Sequence, residues 1–211
     1  MIPTKEEIFD SLAERHGREM QQRLSEAAVA ICGLGGLGSN IALALARAGV
    51  GRLHLMDFDV VDISNLNRQQ YFPDQLGIPK PYALKSTLDR IAPYCDIRAD
   101  IVKLTEENIP RLLSEEPIVC EAFDKADQKA MLVNTVLEKL PEKYLVSGSG
   151  MAGLYSANLI RSRRLGKKFY LCGDGVNGIG DGEGLYMSRV LACAAHQAHM
   201  IIRLIAGETD C

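Results

Sequence analysis

Residues 27–59, AAVAICGLGGLGSNIALALARAGVGRLHLMDFD, decide the fold. The apolar run 27–32 reads as a buried strand, and Gly33-Leu34-Gly35-Gly36-Leu37-Gly38 reads as a tight turn. The small apolar residues from Ser39 to Ala48 read as a helix that Gly49 and Gly51 end, and a second strand runs up to Asp57. Together they make one βαβ unit, the repeating element of a parallel sheet.

Outward from this unit the alternation continues. Residues 60–81, VVDISNLNRQQYFPDQLGIPKP, are polar and turn-rich, whereas 81–94, PYALKSTLDRIAPY, has helical spacing and opens just after Pro79 and Pro81. There follow a strand near Asp96–Val102, a helix from about Glu106 to Ser114, the strand PIVCEAF, the helix KADQKAMLVNTVLEKL and the strand KYLVSGS. After Gly150, SANLIRSRRLGKKFYLC suggests two antiparallel strands joined at Leu165 and Gly166. A loop with glycines at 173, 175, 178, 180, 182 and 184 comes next, and a helix over about Met187–Ile205 follows. The expected fold class is therefore α/β: a Rossmann-like, doubly wound, mainly parallel sheet with antiparallel strands in its C-terminal part and helices on both faces. On the N-terminal side, Ile8, Leu12, Met20 and Leu24 make a weakly amphipathic helical arm over about residues 1–26. With 211 residues and no repeat or linker, the expectation is one domain over 1–211.

Composition bounds the function. The chain is 47% hydrophobic and 24% charged, an ordinary globular balance, and its net charge of −3 offers no general attraction for nucleic acid or an anionic membrane. Apolar stretches are broken well before the roughly 18–20 residues that a membrane helix needs, and the opening MIPTKEEIFD has no signal-peptide core, so a cytoplasmic protein is expected. The six cysteines are far apart, which fits reduced thiols rather than a disulfide framework.

Chemistry is concentrated at the strand ends. The loop containing Gly33, Gly35, Gly36 and Gly38 lets the backbone approach a phosphate at the positive end of a helix. Asp57, at nearly the spacing of a ribose-binding carboxylate, points to an adenine nucleotide, though this pair alone does not separate NAD from ATP. The polar run that follows, with Asp59, Asn65, Arg68 and then Lys80, suits a triphosphate. Arg68 can grip phosphate through two donors, Lys80 adds a compact charge, and Asn65 can bond a phosphate or ribose oxygen. Asp124, where a strand ends and a helix begins, is a candidate magnesium ligand, its bland alternative being a helix N-cap.

GLGGLGSN, DFDVVDISNLNRQ, GIPK and EAFDKAD, in this order and spacing, resemble the ThiF and MoeB family of ubiquitin-activating-like adenylyltransferases over nearly the whole chain. The RHGRE arm and the ending MAG…MSRVLACAAHQ look closest to the compact ThiF subgroup of thiamine biosynthesis. The resemblance implies ATP and Mg2+ as ligands, the latter on Asp124. It implies nucleotide contacts from Gly33 to Gly38, Asp57, Asn65, Arg68 and Lys80, and a ThiS-like sulfur-carrier protein as substrate. It also implies a homodimer in which Arg18 of the arm reaches the partner's nucleotide; without the resemblance, Arg18 reads as a solvated helix charge.

Larger relatives hold zinc through two C-x-x-C pairs, which this chain lacks, so no structural zinc is expected. Cys172 is the best candidate for a covalent sulfur intermediate, against burial as a small apolar residue. Cys193 and His196 read as packing rather than a metal site, and Ser147 to Met151 lacks a hydrolase arrangement. The alternatives are a molybdopterin-type carrier or a tRNA-modifying dehydratase reaction, an NAD-dependent oxidoreductase, or a catalytically silent nucleotide-binding subunit.

Overall fold

The computed structural model describes residues 2–178 and 183–211. Its centre is β1 (Ala28–Cys32), which pairs in parallel with β2 (Arg52–Asp57) on one side and β4 (Ile118–Glu121) on the other. β3 (Asp96–Ile101) flanks β2, while β5 (Tyr144–Gly148) flanks β4. β7 (Phe169–Gly173) runs parallel to β5, and β6 (Arg161–Arg164) closes the edge antiparallel to β7, giving the order β3-β2-β1-β4-β5-β7-β6. The strand order reverses between β1 and β4, and in doubly wound sheets the carboxyl edge at such a switch point opens a crevice.

Side-chain alternation splits the core in two. Val29, Ile31, Leu53, Leu55, Cys120 and Val146 face one layer, packed under α3 (Gly36–Ala48), α4 (Lys80–Ile91) and α7 (Met187–Ala206). Ala30, Cys32, Met56, Val119 and Leu145 face the other, under α5 (Ile109–Leu112) and α6 (Ala126–Lys139). This period of two places apolar residues on both faces of each strand, as a parallel sheet covered twice requires. Among the described residues no helix is long and apolar enough to cross a membrane.

The α/β architecture expected from the sequence is present, with three local differences. The arm is two helices, α1 (Lys5–His16) and α2 (Arg18–Glu26), because Gly17 takes φ +93°, a conformation that favours glycine. Thr4 and Glu7 form a capping box that starts α1, and Gln21 and Leu24 of α2 are buried. The helix expected over 106–114 shrinks to one turn. Asn108 Oδ1 accepts from the Thr105 amide at 2.9 Å and Asn108 Nδ2 donates to Lys103 O at 3.0 Å, so a local side-chain turn displaces helical bonding. The turn between β6 and β7 spans 165–168 rather than two residues. The middle of the glycine-rich loop, 179–182, lies outside the described residues.

One polar cluster lies inside the β2, β3 and β4 region. His54 of β2 is fully buried between two carboxylates, its Nδ1 2.9 Å from Glu116 Oε1 and its Nε2 3.0 Å from Asp100 Oδ2. Arg98 also pairs with Asp100, at 2.8 Å. Burial pushes both carboxyls up, but the hydrogen bonds and charge of His54, joined by Arg98, more than offset it and hold them below their ordinary values.

Candidate functional site

A cleft of about 580 Å³ opens at the carboxyl edge where β1 and β4 diverge. Its floor is the glycine loop. Gly33 takes φ +92°, and its amide donates to Met56 O at 2.8 Å. A Cβ on Gly38 would collide with Gly33 O, so the loop crosses itself at a separation that only hydrogen permits. The N-cap of α3 is Gly35, with no side-chain cap, which leaves the first-turn amides free to bind an anion.

Asp57, at the end of β2, organises this loop: Oδ2 accepts from the Leu34 amide at 2.7 Å and Oδ1 from the Asp59 amide at 2.9 Å. Burial raises its carboxyl above the ordinary value, and these two amides with the Lys80 charge oppose the rise only in part. Tyr71 fixes the loop from the other side, donating from its hydroxyl to Leu34 O at 2.8 Å.

The segment after β2 brings in the cations. Asp62 caps a short 3₁₀ turn at Ile63–Asn65, and the Asp62 amide donates to Asn65 Oδ1 at 3.0 Å, so one end of the Asn65 carboxamide already serves the turn. The Arg68 stem passes over Gly36, where a Cβ would lie 3.4 Å from Arg68 Cγ. Its guanidinium donates to Ser64 O at 2.9 Å and Asn67 Oδ1 at 2.8 Å. Lys80, buried at the start of α4, pairs through Nζ with Asp59 Oδ2 at 2.9 Å, and its amide donates to Asp59 O.

From β4 comes Asp124. Glu121, fully buried, accepts from the Phe123 amide at 2.7 Å, from Ser147 Oγ at 2.5 Å and from Lys129 Nζ at 2.9 Å. Lys129 also donates to Phe123 O at 2.8 Å, and this brace shapes the turn that carries Asp124 to the cleft. The N-cap of α6 is Lys125 with no side-chain cap bond, so Asp124 is not the helix cap. An exposed carboxylate, with Asp127 lining the same cleft, is a hard oxygen donor set of the kind that Mg2+ takes together with phosphate oxygens and water.

The cleft therefore gathers Gly33, Gly35, Gly36, Asp57, Asp59, Asn65, Arg68, Lys80 and Asp124. Gly38 serves by close packing behind the loop rather than as lining. Arg18 lies outside the cleft of its own chain: its side chain is 73% exposed and pairs with Asp10 at 2.5 Å. Sequence reading passed over Lys103, Lys125 and Gln69, which also line the cleft. Gln69 Oε1 is buried with no hydrogen-bond partner among the described residues, and a ligand donor at the cleft would satisfy it. Its signal was available, since it directly follows Arg68.

Cys172 is a core residue in β7, and burial pushes its thiol up to about 11, in keeping with its reading as a buried small apolar residue. Cys193 is likewise buried and pushed up to about 12, while His196 Nδ1 lies 3.1 Å from Ser162 Oγ, so these two pack rather than converge.

The sequence pattern of the ThiF family matches residues 10–208. The chain belongs to the ThiF family. The molybdopterin-synthase adenylyltransferase of Haemophilus influenzae is 38% identical over 113 residues, which is 53% of this ThiF-family chain and 46% of that protein. The sulfur carrier protein adenylyltransferase of Thermus thermophilus is 36% identical over 126 residues, 57% of this chain and 46% of that protein. The chain spans about a third to a half of the length of the curated relatives it matches. Among solved structures, the Escherichia coli tRNA N6-threonylcarbamoyladenosine dehydratase TcdA in complex with ATP superposes with a TM-score of 0.87 and covers 98% of each chain. At 20% identity, that likeness establishes the fold of this ThiF-family member.

Proposed function

We propose that this chain uses ATP to adenylylate the C-terminal glycine carboxylate of a small, ubiquitin-like, ThiS-type sulfur carrier in thiamine biosynthesis. The observation that carries this reading is the single cleft that gathers a glycine loop on an uncapped helix start, Asp57, Arg68, Lys80 and Asp124. An oxidoreductase has no use for that cationic set beside the loop. The adenylyltransferase names of the relatives favour the same reading.

In this mechanism, Asp57 holds the loop and meets the ribose, while the first-turn amides of α3 and the Arg68 guanidinium bind the phosphates. A glycine carboxylate is already ionised at neutral pH, so its attack needs alignment rather than a general base. A carboxylate oxygen bonds to the α-phosphorus, the bond from that phosphorus to the bridging oxygen breaks, and pyrophosphate leaves with the electron pair. Arg68 and Lys80, the latter exchanging Asp59 for phosphate oxygen, stabilise the departing charge. Asp124 would hold Mg2+, which when bound supplies further positive charge to the phosphates. Arg18 of a second copy adds another cation, so the active unit is a homodimer.

ATP–pyrophosphate exchange tests the reading, with purified protein, Mg2+, and a carrier ending in Gly-Gly beside the same carrier lacking those two residues. Exchange with the intact carrier alone is the expected result. Exchange that ignores the tail, or none despite ATP binding, would move the assignment to another acceptor or to a silent subunit. Exchange driven by a tRNA would favour the dehydratase reading.

A further inference from the structure

Met151, Leu185 and Val190 line the cleft, and they come from the loop after β5, the stretch before α7 and the first turn of α7. The Gly153 amide donates to Gly184 O at 2.8 Å and the Tyr155 hydroxyl to Glu183 Oε1 at 2.8 Å across these segments. Arg189 ties them further, with a side chain that is 4% exposed although it carries a full charge. Its Nε donates to Ala152 O at 3.2 Å, and its Nη1 donates to Tyr155 O at 3.1 Å and Ser156 O at 3.4 Å. Its Nη2 meets the Asp174 carboxylate, and the Tyr155 ring stacks 5.7 Å from the guanidinium.

Asp174 extends the same device into the loop after β7. It accepts from the Val176 amide at 2.8 Å, the Asn177 amide at 2.9 Å and Asn177 Nδ2 at 2.6 Å. Backbone bonds close the frame: the Asp174 amide to Gly150 O at 3.1 Å, Gly175 to Ser149 O at 3.0 Å, and Ala152 to Asn177 O at 3.0 Å. Gly150, at φ +82°, leaves the space that the Asp174 carboxylate occupies. The Leu185 carbonyl accepts from Asn67 Nδ2 at 3.2 Å, which ties the frame to the loop that presents Arg68.

A buried ion pair is a costly way to gain stability, since apolar side chains of similar volume often do as well. What apolar packing does not supply is direction. The planar fork of Arg189 fixes three carbonyls and a carboxylate at set angles, the carbonyls in the loop that carries Met151 and the carboxylate in the loop after β7. The wall that carries Met151 and Val190 touches the phosphate side at Val190, whose Cγ1 lies 3.0 Å from where a Cβ on Gly36 would stand, and through Asn67, but the direct hydrogen-bond partners of Asp57, Arg68 and Lys80 lie in the glycine loop and the 59–67 segment.

We propose that Arg189 and Asp174 are positioning residues for the acceptor: they fix the Met151 and Val190 wall, and with it the line along which a carrier's Gly-Gly tail approaches the α-phosphate. The assignment rests on the adenylylating reading of the cleft. It predicts a division of labour, in which the loop and cations govern ATP while the Arg189 frame governs the second substrate.

The test is ATP–pyrophosphate exchange by the full chain, with ATP and a Gly-Gly-ending carrier varied separately, alongside equilibrium dialysis for ATP. In Arg189→Met and Asp174→Asn the KM for the carrier should rise by about tenfold or more, because small misplacements of a reacting group cost that much. The Kd for ATP should stay within about twofold of wild type. Arg189→Lys, which keeps a cation opposite Asp174, should recover part of the loss. A merely structural role would instead lower the active fraction, reducing kcat with the carrier KM unchanged. Asp174→Asn is nearly isosteric and carries the test if Arg189→Met does not fold. An unchanged carrier KM, or equal losses for ATP and carrier, overturns the assignment while the adenylylating reading stands; a wild-type chain with no carrier-dependent exchange overturns both.

Discussion

Arg68→Ala should lower carrier-dependent ATP–pyrophosphate exchange by about 10²- to 10³-fold, the usual loss when one preorganised donor to developing charge is removed. The geometry predicts little harm to the fold. The guanidinium donates to Ser64 O and Asn67 Oδ1, both on exposed residues, so its removal orphans no buried charge. The bond from Asn40 Nδ2 to the Arg68 backbone carbonyl, at 3.1 Å, survives the substitution. Thermal unfolding should therefore shift by only a few degrees, within about 0.5–1 kcal/mol of stability. Asp57→Ala makes the informative contrast. It removes the acceptor of the Leu34 and Asp59 amides as well as the proposed ribose contact, so ATP binding itself should weaken. Unaltered exchange in Arg68→Ala would remove this residue from the chemistry.

The second large effect is on stability and lies far from phosphate chemistry. His54→Ala should cost about 3–5 kcal/mol, the range for breaking a buried ionic contact and leaving a carboxylate without its partner. Glu116 has a side-chain exposure of 1% and loses the one side-chain partner it has among the described residues. Asp100 keeps Arg98 and is 29% exposed, so Glu116 carries most of the loss. Both ring nitrogens of His54 face a carboxylate, so one side chain is the shared partner of Glu116 and Asp100. Both carboxyls are held below their ordinary values in the fold. Their contribution is therefore fully present above the unfolded values, near pH 4–4.5, and is lost as pH falls through the lower folded ones. Urea titrations of wild type and His54→Ala between about pH 7 and pH 3 read this directly, with the two curves converging toward acid. Parallel curves would assign the loss to packing alone.

The β1, α3, β2 unit was legible in sequence because each decision there is local: an apolar run, a cluster of glycines, and a helix closed by Gly49 at φ +89°. Asp57, Arg68, Lys80 and Asp124 were legible because they sit at strand ends or beside them, where the topology itself delivers side chains to one edge. The residues that hold them were not. Tyr71 meets Leu34 across 37 positions and Ser147 meets Glu121 across 26, and no periodicity encodes such contacts. The break at Gly17 and the truncated α5 were missed for a different reason: a single positive φ and a Thr105–Asn108 side-chain turn each outweigh a helical pattern. Cys172 was expected to be buried as a small apolar residue, though its position beside the glycine-rich segment says nothing of its depth in β7.

That depth has a practical corollary. Cys32, Cys120, Cys172 and Cys193 are buried, with thiols pushed above their ordinary value, and Cys95 is half-covered and pushed up to about 12. Cys211 alone is exposed, beyond the end of α7 and outside the lining of the cleft. A maleimide dye applied to the native protein would thus mark one place, giving a fluorescent reporter of association without engineering a cysteine-free background.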